Sequence, residues 1–394
     1  MNNDNNNDNS YAWKRQTVEG EKAVARLSSF CPGEGAVAEH HVTIQATDPT
    51  QTFREQLEAV LNTYYMLTEN QLAGASAVLK RYYLSDAANQ ADPLLACTAE
   101  EDVDCAVSVV QQAPLCGTKV AMWVYLLSGV GTQMLHDGLL CASHGPYRHL
   151  WGGSACNRAA NSEYQTRLLL NDYVMQLTGQ GCRLADNCVR TWFFVQNVDV
   201  NYAGVVKARN EVFVTQGLTE KTHYIASTGI GGRHADPRVL VQMDTYAVAG
   251  LQPGQVGFLY APTHLNPTYE YGVSFERGTR VDYGDRRQVF ISGTASIDNK
   301  GEVLYPGDIR RQTHRMWDNV EALLAEAGCT FDDMGQMTVY LRDTADYAVV
   351  SDLFARRFPQ MPLVVVHAPV CRPGWLIEME CMGAKALRSG FPDF

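Results

Sequence analysis

The sequence predicts an α/β protein of the α+β kind, built from three tandem copies of one unit. Two observations predict it. An order of helices and strands recurs along the chain, and matched residues keep a fixed shift between recurrences. The C-terminal copy is clearest. Gln312 and Thr313 open a helix whose apolar face is Met316, Trp317, Val320, Leu323, Leu324 and Ala327, and Gly328 ends it. A strand at 337–341, a second helix at 346–358 closed by Pro359, and strands at 363–367 and 375–382 complete the copy.

The middle of the chain repeats this order. Gln165 and Thr166 open a helix, Cys182 follows it as Cys329 does, and 191–195 reads as the strand. Tyr202 and Phe213 correspond to Tyr347 and Phe358. Val-Leu-Val-Gln-Met-Asp at 239–244 lines up with Trp-Leu-Ile-Glu-Met-Glu at 375–380. In the first copy, Gln51 and Thr52 precede a helix with Phe53, Leu57, Val60, Leu61 and Tyr64 on one face, and 78–84 is the strand. Ala113-Pro-Leu-Cys116 echoes Ala368-Pro-Val-Cys371. No second helix is evident between Asn89 and Asp104, so that part is expected to be shortened or replaced. With opening hairpins near 41–46, 139–152 and 289–303, each unit reads β–β–α–β–α–β–β. The expected layout is a disordered polar tail over 1–20, then units over 21–135, 136–255 and 256–394.

Of the 394 residues, 46% are hydrophobic, enough for several domains. A net charge of -11 without Lys/Arg blocks argues against a nucleic-acid partner. The 11 cysteines are odd in number and form no CxxC or Cys/His cluster, so reduced thiols and no metal are expected. The Asn/Asp-rich start lacks the apolar run of a signal peptide, and no segment approaches about 18 uninterrupted apolar residues. A cytoplasmic protein without membrane contact is expected. Gly229-Ile-Gly-Gly232 lacks the following helix of a dinucleotide fingerprint, and His40, His41, His144 and His149 lack nearby carboxylates in sequence, so no cofactor is expected.

Glu378 stands on the closing strand where the second copy has Gln242 and, allowing one gap, the first has Met122. One copy of three kept an ionisable group there, which points to one active cleft. Side chains alternate along a strand, so Glu378 and Glu380 share a face, and mutual repulsion would raise one pKa.

The last copy resembles the RidA/YjgF family, also called endoribonuclease L-PSP. The resembling residues are Ile291-Ser-Gly-Thr-Ala295, Gly307-Asp308, Gln312-Thr313, Asn319-Val320, Thr338-Val-Tyr-Leu-Arg-Asp343 and Ile377-Glu-Met-Glu380. The resemblance implies a six-stranded, chorismate-mutase-like unit with two helices on one face. It also implies trimers with ligand sites between neighbours, hence an intramolecular pseudo-trimer that works as a monomer. In the deaminase members, an arginine about fifteen residues before the first Glu of the closing strand grips a carboxylate. Counting back from Glu378 reaches Leu363, which cannot.

A narrower resemblance, over about 190–383, is to the chorismatases. It rests on Tyr269-Glu-Tyr-Gly-Val-Ser-Phe-Glu-Arg-Gly-Thr-Arg280, Tyr283-Gly-Asp-Arg286 and Val370-Cys-Arg-Pro-Gly-Trp-Leu-Ile-Glu378. It implies hydrolysis of the enolpyruvyl ether of chorismate, a small dianion, to pyruvate and a hydroxybenzoate-type product. Glu378 would be the proton donor. Carboxylate anchors would come from Arg209, Arg372, Arg277, Arg190 and Arg280, with the first two ahead. Tyr271 would be a ring-facing donor and Glu380 a second carboxylate. Gly284 and Cys371 resemble the subtype forming 3-hydroxybenzoate, in which the thiol would add to or steer a ring intermediate. The readings left open are a RidA-like imine deaminase or endoribonuclease, and a non-catalytic small-molecule binder.

Overall fold

The computed structural model describes residues 12–99 and 104–394. The first unit contributes β1 (Lys14–Glu19), β2 (Ala23–Phe30), β3 (Ala38–Ala46), α1 (Phe53–Glu69), β4 (Ala75–Leu84), α2 (Ala87–Thr98), β5 (Ala106–Gln111) and β6 (Val120–Ser128). The second has β7 (Gly131–Met134), β8 (Leu140–His144), β9 (Tyr147–Cys156), α3 (Ser162–Gly179), the single turn α4 (Leu184–Asn187), β10 (Cys188–Val195), α5 (Val198–Thr215), β11 (Ala226–Gly231) and β12 (Val241–Ala249). The third has β13 (Val256–Leu259), β14 (Gly278–Asp282), β15 (Arg286–Ala295), α6 (Ile309–Glu326), β16 (Met334–Leu341), α7 (Tyr347–Arg357), β17 (Leu363–His367) and β18 (Ile377–Ala386). Each unit is one six-stranded sheet, ordered β13-β14-β15-β18-β16-β17 in the third and equivalently in the others. The expected three-copy α+β architecture is present.

Four details differ from the sequence reading. Each unit opens with three strands, not two. The polar tail expected over 1–20 contains β1, and residues 1–11 lie outside the described residues. β7 pairs with β8 in the second sheet, although residues 131–134 were expected in the first unit. Finally, a helix does fill the gap after Asn89: α2 carries Pro93 inside it, which masks the helical pattern.

One glutamine per unit explains much of the repeat. Gln312 sits in the first turn of α6, which Asp308 caps, and its amide bridges backbone Leu376 N (3.0 Å) and Gly374 O (3.0 Å). Gln165 holds Leu240 N (2.7 Å) and Arg238 O (2.8 Å) in the same way. In the first unit this clamp is Gln56, which accepts from Lys119 N at 2.7 Å. Gln51, matched to the other two in sequence, lies before the helix instead. Each clamp fixes the entry of a central strand: β6, β12 or β18.

The sheets turn one face to their helices and the other toward a shared interior, where Tyr125, Trp151, Trp192, Tyr246, Phe290 and Tyr340 from all three units belong to one core. Buried charges sit in it as a linked group. Arg81 reaches Asp244 Oδ2 through Nη2 (2.8 Å) and Nε (3.2 Å). Glu380 accepts from Arg190 (2.8 Å), Trp192 Nε1 (2.9 Å) and Thr228 Oγ1 (2.6 Å). These bonds cross all three units.

Strand register also corrects the repeat alignment. Glu378 pairs across from Tyr340, Gln242 from Phe194 and Met122 from Tyr82. Counted from the strand ends at Leu341, Val195 and Leu84, the first-unit equivalent of Glu378 is Ala121. Met122 packs in the separate cluster under α1, because a one-residue slip reverses the face.

Candidate active site

Glu378, the second residue of β18, is 3% exposed. It points into a cleft between the second and third units, lined from one side by Tyr202, Arg209, Ser227 and Gly229 and from the other by Tyr271, Arg277, Gly293, Cys371, Arg372 and Trp375. The register of β15 on β18 shifts between Ile291 and Thr294, which places Gly293 beneath the carboxyl. A Cβ on Gly293 would overlap Glu378 Oε1, so only glycine leaves room for this rotamer. Gly293 N donates to Thr228 Oγ1 (2.9 Å), which in turn donates to Glu380.

Burial pushes the Glu378 carboxyl up to about 8, helped by the nearby Glu380 carboxylate and opposed by Arg277 and Arg190. Glu378 is therefore protonated at neutral pH. Burial and Glu378 push the Cys371 thiol up to about 12, so it stands as a neutral S–H rather than a thiolate.

Arg209 on α5 is the complementary feature. It is fully buried, and its Nε, Nη1 and Nη2 have no hydrogen-bond partner. The rings of Phe193 and Phe275 lie 5.9 Å from it. A buried, unpaired guanidinium is costly and calls for an anion. Arg277 is tied by Nη2 to Asn266 O (2.9 Å) and stacks on Tyr271 and Phe275. Arg372 lies exposed at the mouth, between the rings of Tyr271 (5.1 Å) and Trp375 (5.6 Å). Tyr271 Oη is buried without a partner. The free volume is about 30 Å³, room for a few waters, with Arg372 and Tyr271 packed together at the mouth.

The remaining expected residues lie elsewhere. Arg190 and Glu380 are partners in the interior network behind the cleft, where they set the field at Glu378 without lining it. Arg280 pairs with Asp282. Gly284 is far away, since Asp285 separates it from β15 and Glu378 pairs with Ala295 at the opposite end of that strand, roughly 30 Å on. Gly284 N donates to Pro392 O (2.7 Å), and a side chain there would collide with the C-terminal segment. It cannot touch a ligand in this cleft. Tyr202, Ser227, Gly293 and Trp375 line the cleft but were not singled out. Gly293 and Trp375 lay inside the quoted motifs; Tyr202 and Ser227 come from the neighbouring unit, and only the docking of units brings them in. Leu363 is likewise displaced: its carbonyl faces Gln45 at the junction of units three and one. By register, the position facing Glu378 across the open cleft is Ser227 on β11. No arginine stands there.

The two equivalent junctions carry no carboxyl at the Glu378 position: Gln242 stands there in the second unit and Ala121 in the first. Between units one and two, Gln242 Nε2 donates to Val109 O (3.0 Å), and Gly153 is so close to Val107 that a Cβ would overlap its carbonyl. Between units three and one, Leu115 N bonds Val365 O (3.0 Å) and His367 N bonds Ala113 O (2.9 Å).

Residues 280–385 match the family described as endoribonuclease L-PSP. A RutC family protein of Pyrococcus abyssi is 34% identical over 99 residues, covering 25% of this chain and 78% of that protein. The 3-aminoacrylate deaminase RutC of Acinetobacter baylyi is 29% identical over 93 residues, 23% of this chain and 74% of its own. A crystal structure of a chorismatase superposes with a TM-score of 0.61 at 18% identity, covering 78% of this chain and 93% of that one, a likeness of fold. With its three six-stranded sheets and this matched third unit, the chain belongs to the RidA/YjgF superfamily, the group of endoribonuclease L-PSP and RutC proteins.

Proposed function

We propose that this protein hydrolyses the enolpyruvyl ether of chorismate, releasing pyruvate and a hydroxybenzoate-type product, with 3-hydroxybenzoate favoured. The observation that carries the reading is the pairing, in one cleft, of a protonated buried carboxyl at Glu378 with the unpartnered guanidinium of Arg209. Glu378 gives its proton to the methylene carbon of the enol ether. Positive charge develops at the ether carbon, water adds there and returns a proton to Glu378, and the hemiketal collapses to pyruvate and a dihydroxycyclohexadiene acid, which loses one water to become 3-hydroxybenzoate. Arg209 holds one substrate carboxylate, and Arg372 meets the other at the mouth. Cys371, as a neutral thiol, packs against the ring and steers product choice; Gly284 plays no direct part in it. No cofactor enters this chemistry. The protein acts on a soluble anion as a single chain in the cytoplasm. All 11 cysteines are free, which suits a reducing compartment, and no helix among the described residues is long and apolar enough to cross a membrane.

Deamination of 3-aminoacrylate, the activity named for one relative, is disfavoured because Ser227 holds the register position where the resemblance implies an arginine. The test is to supply chorismate and follow pyruvate. Release by the wild type that falls at least 100-fold in Glu378→Gln is expected. No release by folded wild-type protein would sink the assignment.

A further inference from the structure

A second cavity, of about 430 Å³, lies against the active cleft; Phe275 and Arg277 border both. Its walls come from the loop after α5, with Glu220, His223 and Tyr224, and from the segment after β13, with Tyr260 and Tyr269. Glu276 forms its floor. This residue is 6% exposed; Oε1 accepts from Tyr224 N at 2.7 Å. Burial pushes its carboxyl up to about 7, a strain that a bound cation relieves. His223 Nδ1 lies 2.7 Å from Tyr224 O. A carbonyl can only accept, so Nδ1 carries a proton. Arg277, also in the wall, spends Nε and Nη2 on the backbone carbonyl of Asn266. The cavity thus offers acceptors, a carboxyl and aromatic faces, with Tyr260 and Tyr269 each nearly half exposed at 45% and 46%.

We propose that this cavity binds a small organic cation, a primary ammonium carried on an apolar ring, with the ammonium on Glu276 and the ring among the tyrosines. Aromatic faces around a buried carboxylate attract such a group both electrostatically and by contact. The proposal is independent of the reaction at Glu378.

Calorimetric titration with benzylammonium, benzyl alcohol and benzoate tests it on the full chain. Benzylammonium is expected to bind wild type and Glu378→Gln equally. Binding should be at least tenfold weaker for Glu276→Gln, which keeps the acceptor for Tyr224 N. Tyr260→Ala, at an exposed ring, should also weaken it while leaving the melting temperature unchanged. Benzyl alcohol and benzoate should bind at least tenfold more weakly than benzylammonium. The proposal is overturned if benzylammonium does not bind, if benzyl alcohol matches it, or if Glu378→Gln rather than Glu276→Gln removes binding.

Discussion

Glu378 and Arg209 are each unfavourable where they stand, and each makes sense only with a ligand. Glu378 binds its proton more tightly folded than unfolded. Its contribution to stability is complete below its ordinary value of 4.5 and is lost as pH rises through about 8. Glu378→Gln removes that loss, so the variant should gain roughly 2–4 kcal/mol over wild type at pH 9 and little at pH 4.5, measured by denaturant unfolding. The same titration makes pyruvate release fall as pH rises past about 8, because the acid form is the reactant. Arg209→Met should leave the melting temperature equal or higher while raising KM at least tenfold, since no hydrogen bond is lost in the free protein. A marked loss of stability would show that Arg209 has a structural role instead. Glu378 was legible in the sequence because two sister strands lack it. Gly284 was misplaced because a motif match carries no information about which end of a strand faces the cleft.

At the scale of elements, the bulge in β15 and the proline in α2 behave in opposite ways. The bulge places Gly293 under the Glu378 carboxyl. Gly293→Ala should lower kcat/KM at least tenfold with the fold retained by circular dichroism, because the new methyl displaces Glu378. Pro93 sits seven residues into a twelve-residue helix and denies it an amide donor. Pro93→Ala should stabilise the protein by about 1 kcal/mol in denaturant unfolding; destabilisation would mean the helix is built around the ring. These two elements also show what periodicity reaches. α6 was readable because its apolar residues keep a strict helical spacing. α2 was not, because a proline in a short helix reads as a break. Gln56 was missed for Gln51 because its role is a bond to a distant strand, which local pattern does not encode.

For the whole molecule, three sheets share one interior, and the ions there connect all units. Arg81→Met would leave Asp244 without its guanidinium partner and take a cation from beside Glu380, so a loss of roughly 3–5 kcal/mol is expected in chemical unfolding. The repeat and its pairing into three sheets were legible from matched residues at fixed shifts. How the cleft beside Glu378 is completed was not, since Tyr202, Arg209 and Ser227 come from the neighbouring unit and only the docking of units brings them in. The resulting claim is one charged, open cleft per chain. Calorimetric titration of chorismate into the Glu378→Gln protein, beside the same protein also carrying Arg209→Met, tests it most directly. One site per chain that disappears with Arg209→Met is the predicted result. No binding, three equivalent sites, or binding indifferent to Arg209 would contradict it.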